Sequence, residues 1–83
     1  MSKIEKLYDA IVGTQSAENI RFDDLVLLLK KLGFDERIRG SHHLFTKNGL
    51  PDLVNIQRKS ADAKGYQIRQ VQYIIKKHNL RIR

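Results

Sequence analysis

Phe34-Asp35-Glu36-Arg37-Ile38-Arg39-Gly40-Ser41-His42-His43-Leu44-Phe45-Thr46-Lys47-Asn48-Gly49 is the stretch on which the fold turns. Before it, apolar residues recur at three- and four-residue spacing. Within it they do not, and that change of period marks the passage from helix to sheet. Phe34 to Arg39 reads as a strand with charges at Asp35, Glu36, Arg37 and Arg39, and Ser41 to Lys47 as a second. Asn48-Gly49 favours a tight hairpin, because both residues tolerate positive φ. A third strand is expected over Asp52 to Gln57, with Leu53, Val54 and Ile56 as its apolar set. Pro51 has no N–H for a ladder and belongs at the strand start or on an edge.

Helices flank this region. Ile4, Leu7, Tyr8 and Ile11 share one face of a helix over residues 2–12, which Gly13 stops. That stripe needs burial, so the helix is expected to extend the core. Thr14 to Asn19 is a polar connector. Residues 23–32 read as a helix: Asp23 and Asp24 sit in its first turn and Lys30 and Lys31 in its last, matching the macrodipole. Asp23 is a candidate cap, and Gly33 stands where a left-handed residue ends a helix. After a basic loop over Arg58 to Gly65, the stripe Ile68, Val71, Ile74 and Ile75 defines a last helix near 66–78, with Asn79 and Leu80 closing its end. The order is α-α-β-β-β-α, an α+β fold with a three-stranded antiparallel sheet and its helices on one face. Tyr8, Phe22, Phe34 and Phe45 read as core, whereas Tyr66 and Tyr73 flank the last apolar stripe.

Eighty-three residues make one domain, 1–83, with a compact core. The chain has no cysteine, which rules out disulfides, thiolate zinc sites and a cysteine nucleophile. Its longest apolar run, Leu25 to Leu29, is far too short to span a bilayer, and the first residues lack a secretory h-region. The expected location is cytoplasmic, with no membrane partner. The net charge of +7 is unevenly spread: residues 1–37 sum to −1 and residues 38–83 to +8. A basic half of this kind suits a polyanion, and the apolar residues of the last helix are needed for the core rather than for a lipid surface.

His42-His43 lies in that basic half. Histidine trades protons near neutral pH, and RNA cleavage without metal needs a base to take the proton of a 2′-hydroxyl as it attacks the adjacent phosphate. Such a base contributes roughly 10²–10⁴-fold. Neighbours on a strand face opposite ways, so at most one of His42 and His43 meets a bound strand. Ser41 is a candidate phosphate contact, and Arg39, Lys47, Arg58, Lys59 and Lys64 are candidate cations for RNA. A plainer account makes one histidine a core residue and the other a solvated one. A metal site is disfavoured, because His78, the third histidine, is on a distant helix end, where it suits the dipole. A non-catalytic RNA-binding module and a protein-interaction domain for an acidic partner are the alternatives.

Phe22 to Leu80 resembles the HicA toxins, the small mRNA interferases of type II toxin–antitoxin systems. The resemblance is carried by a helix ending Leu32-Gly33-Phe34, a charged strand leading into Gly40-Ser41-His42-His43-Leu44-Phe45, a hairpin to an apolar strand, and Lys64-Gly65 before a striped helix ending Asn79-Leu80. It implies a double-stranded-RNA-binding-domain-like α-β-β-β-α core over 22–80, with residues 1–21 an added helix and connector. It further implies ribosome-independent mRNA cleavage with His42 as the catalytic histidine, and a variable, dispensable His43. No metal cofactor is implied. The partners implied are mRNA and a HicB-like antitoxin covering the active-site surface, the toxin alone being expected as a monomer. The chain departs from the family where many members carry a Pro-x-His-like third strand, having Asn55-Ile56-Gln57-Arg58. It departs again at the start of the last helix, where Gly65-Tyr66 replaces the usual Gly-Thr.

Overall fold

The computed structural model describes residues 3–13 and 20–82; the expected connector over 14–19 lies outside them. The order is α1 (Lys3–Gly13), α2 (Phe22–Lys31), β1 (Asp35–Arg39), β2 (His42–Thr46), β3 (Val54–Gln57) and α3 (Gly65–His78). The strands form an antiparallel meander, β1-β2-β3. This is the α+β arrangement expected from the change of period.

Phe22, Leu25, Leu28 and Leu29 on α2, Leu32 at its C-cap, and Ile68, Val71, Ile74 and Ile75 on α3 meet Phe45, Val54 and Ile56 of the sheet in one buried cluster. α1 packs against both other helices. Its Ile11 is fully buried, and Ile4 and Leu7 rest on the core, so α1 does extend it. α2 ends in a Schellman motif: the Gly33 N–H donates to Lys30 O, the Phe34 N–H donates to Leu29 O, and Gly33 takes φ +98°. Asn79 ends α3 in the left-handed region, and the Leu80 N–H reaches back to Ile75 O at 3.0 Å.

Three local expectations need correction. Asp23 does not cap α2. The N-cap is Arg21, and the Asp23 carboxylate instead bonds the Arg58 guanidinium across the fold. Asn48-Gly49 is not the tip of a tight hairpin: only Gly49 has positive φ, the turn closes by Leu50 N–H to Lys47 O, and the chain runs on through Leu53 before pairing resumes. The tight hairpin is at Gly40-Ser41, between the paired residues Arg39 and His42. Leu53 is not part of the sheet's core face. It precedes β3, and half of it is exposed.

Candidate nucleic-acid interface

Pairing fixes which side chains share a face. Asp35, Arg37, Arg39, His42, Leu44, Thr46, Asn55 and Gln57 fall on one side of the sheet by register, and His43, Phe45, Val54 and Ile56 on the helix side. The two histidines therefore part company as the alternation requires. His43 is half-buried, its side chain 12% exposed, with its Nδ1 2.6 Å from Glu36 Oε2 and its ring edge-on to Phe22 at 5.0 Å. His42 is exposed on the open face, its Nδ1 3.3 Å from Asn55 Oδ1. A proton on Nδ1, donated to that amide oxygen, would leave Nε2 as the lone-pair nitrogen.

His42 owes its place to the turn before it. Gly40 has φ +60° and Ser41 does not share the positive sign, the pattern of a type II′ hairpin turn, which takes glycine first. Ser41 is then tied on both sides: its Oγ accepts from Gln57 Nε2 at 2.9 Å and its carbonyl from the Arg58 N–H at 3.1 Å.

Several segments converge on this end of the sheet. The basic loop is pinned to the start of α2 by Phe22 N–H to Ala61 O and Ala63 N–H to Ile20 O. The start of α3 is clamped by Gln67, which is 1% exposed. Its Nε2 donates to Gln57 O at 2.7 Å and its Oε1 accepts the Lys64 N–H at 2.9 Å. Arg39 is the cross-strand partner of His42, and Arg58, Lys59 and Lys64 lie on the loop that leaves Gln57. All four are exposed. Arg58 is partly committed: its guanidinium lies 4.5 Å over the Phe22 ring and bonds Asp23. Lys59 sits 5.7 Å from the ring of Tyr66, an exposed side chain.

Lys47 does not join this group. It lies past the far end of β2, roughly 16 Å from His42 along the strand, where it lines a 500 Å³ cavity with Lys30, Lys31 and Asp35. A smaller groove of 360 Å³ on the open face is lined by Arg37, Arg39, Leu44, Thr46 and Leu53.

Three carboxyls near these elements are held below their ordinary range. For Asp23 the main cause is the hydrogen bond from Arg58. For Glu36 burial pushes the other way, but hydrogen bonds from His43 and Lys30 outweigh it. For Asp52 the main cause is the hydrogen bond from His78, whose Nε2 is 2.5 Å from Asp52 Oδ2. His78 thus ties the end of α3 to the β2–β3 connection, a more specific role than a dipole partner.

Asn55, Gln57 and Gln67 are the residues that sequence reasoning missed. For Asn55 and Gln57 the signal was the Val-Asn-Ile-Gln alternation over 54–57, which puts two amides on the face opposite the core. Among the described residues, no three His, Asp or Glu side chains converge as a metal site would need, and no helix is long and apolar enough to cross a membrane.

A family model described as the HicA toxin of bacterial toxin–antitoxin systems matches residues 22–80. The chain belongs to the HicA toxin family. The match begins at the first residue of α2 and ends at Leu80, so it spans the whole sheet, both flanking helices and the His42 turn, and leaves α1 outside. No curated protein and no solved structure matches the chain. Membership gives the protein a toxin role.

Proposed function

We propose that this toxin is an endoribonuclease acting on mRNA, with His42 as its general base. One observation carries the reading: of two adjacent histidines, His42 alone is exposed, on the open face at the cationic end of the sheet, with Nε2 turned away from its Asn55 partner. In the reaction His42 Nε2 takes the proton of a ribose 2′-hydroxyl as that oxygen attacks the neighbouring phosphorus. The 5′-oxygen leaves with a proton from solvent, giving a 2′,3′-cyclic phosphate and a 5′-hydroxyl end. Arg39, beside His42, neutralises charge on the phosphorane. Ser41, Arg58, Lys59 and Lys64 carry the strand past the turn, and the Arg37–Arg39 groove takes a neighbouring nucleotide. Lys47, at the far end, would contact a more distant phosphate. No step needs a metal.

The same open face is the natural surface for a HicB-like antitoxin. A partner seated there occludes His42 and presents carboxylates to Arg37 and Arg39, and neutralisation follows from simple blockage. The toxin acts in the cytoplasm, where mRNA is.

The test is incubation of labelled single-stranded RNA with the parent, His42→Ala and His43→Ala proteins in EDTA, each checked for folding by circular dichroism. Cleavage by the parent and by His43→Ala, but not by His42→Ala, is expected. A folded His42→Ala protein with full activity overturns the mechanism. Salt-sensitive binding by all three with no products makes the domain an RNA-binding module instead, and negligible RNA affinity leaves only a protein partner for the basic face.

A further inference from the structure

We propose that Asn55 is the positioning residue for His42: its side-chain carbonyl holds the imidazole with the proton on Nδ1, so that Nε2 is the basic nitrogen presented to the 2′-hydroxyl. This rests on His42 being the base and adds a residue that acts through it. A free imidazole in water prefers its proton on Nε2, the wrong nitrogen for a base whose Nε2 faces the substrate. A carbonyl acceptor at Nδ1 reverses that preference. The His42 Nδ1 to Asn55 Oδ1 distance of 3.3 Å supplies one. The register explains why Asn55 is the residue that reaches. Gln57 is directly opposite His42 and is spent on Ser41, while Asn55, two residues away on the same face, is the diagonal neighbour.

The helix side of β2 repeats the device. There the Nδ1 of His43 has the Glu36 carboxylate at 2.6 Å. Each histidine thus has an oxygen at Nδ1, a partly buried carboxylate for the inward ring and a neutral amide for the outward one. The neutral partner fits the open face: an amide orients the ring without adding negative charge where RNA phosphates must approach. Asn55 has no packing duty there. It is exposed between the buried Val54 and Ile56, and asparagine is among the poorer strand formers.

The experiment compares the parent with Asn55→Leu, which removes the acceptor, and Asn55→Asp, which keeps it. Nitrogen NMR of ¹⁵N-histidine-labelled protein at alkaline pH reads the tautomer of His42 directly, with His43 as internal reference. In the parent, Nδ1 of His42 is expected to carry the proton. In Asn55→Leu the proton moves to Nε2, and in Asn55→Asp it stays. On labelled RNA, Asn55→Leu is expected to lose about threefold to tenfold in kcat with KM unchanged, the factor for one modest hydrogen bond, and Asn55→Asp to recover most of the kcat loss at a raised KM, because its charge stands where RNA phosphates approach. A parent His42 protonated on Nε2, or an Asn55→Leu protein whose tautomer and kcat match the parent, overturns the proposal. So does an Asn55→Leu loss confined to KM. If the parent cleaves no RNA, the nuclease reading falls, and the catalytic meaning of the tautomer falls with it whatever the spectra show.

Discussion

Gly40→Ala and Gly13→Ala are the same chemical change with opposite expected signs. A methyl group added at either position meets nothing within 4 Å, so neither substitution creates a clash. What differs is the backbone. Gly13 closes α1 without positive φ, whereas Gly40 has φ +60° at the start of the turn that delivers His42. An L-residue in left-handed backbone costs roughly 1–2 kcal/mol. Replacing glycine also restricts the unfolded chain at either position, which offsets about 0.4–1 kcal/mol. Gly40→Ala should therefore destabilise by about 1 kcal/mol net, and Gly13→Ala should stabilise by about half that. In a domain of this size 1 kcal/mol is about 4–8 °C in Tm.

Thermal and urea melts of both variants measure the difference, with the urea slope checked to confirm that the unfolded state is unchanged. Strain at Gly40 sits two residues from His42, so Gly40→Ala should also lower kcat on RNA, while Gly13→Ala leaves it unchanged. A Gly40→Ala protein as stable as the parent, beside a Gly13→Ala protein that behaves as expected, would refute the type II′ geometry and with it this account of how His42 is aimed.

Acidification should weaken the fold through Glu36. Its folded pKa is depressed, so its stabilising contribution is complete above the ordinary glutamate value of about 4.3 and is lost as pH falls through the lower folded value. Urea melts across that window should show a shallower loss for Glu36→Gln than for the parent, with the remaining slope due to Asp23 and Asp52; an identical slope contradicts the assignment. Arg39→Ala and Lys59→Ala should each weaken RNA binding and lower the salt slope by about 0.7 for a single strand, read by fluorescence anisotropy at several salt concentrations. Unchanged slopes would move the strand off this end of the sheet.

Elements were easier to read than register. The helical stripes of α2 and α3 were visible because period 3.6 is carried by many residues at once, and Gly33 and Asn79 marked their ends by chirality. Alternation offered His42 only as one of a pair, since it says that neighbours diverge but not which one faces out; it was the family resemblance that chose His42. The pairing partner of β2 decided that, and it was hidden by the connection through Pro51 and Leu53, whose length Asn48-Gly49 did not reveal. Asp23 misled for a related reason. Its place in a first turn is a local signal, while its real partner, Arg58, is 35 residues away. Gln67 sits among apolar neighbours on a stripe, and nothing local shows that its amide bridges Lys64 and Gln57.

The register of β2 is also what joins stability to function in this protein. A one-residue slip would exchange the faces of every side chain on the strand. Phe45, fully buried against Val54, would turn outward, and burying a ring of that kind stabilises by roughly 1.5–3 kcal/mol. His43 would leave Glu36 and the edge of Phe22, and Glu36 would keep only Lys30. Gly40 at one end sets the turn that starts the count. The inward residues thus hold the outward one in place without touching it: His42 faces the open sheet because Phe45 and His43 cannot. A surface built this way needs no packing around the imidazole. The ring stays exposed, while the orientation of its strand is guarded by the core.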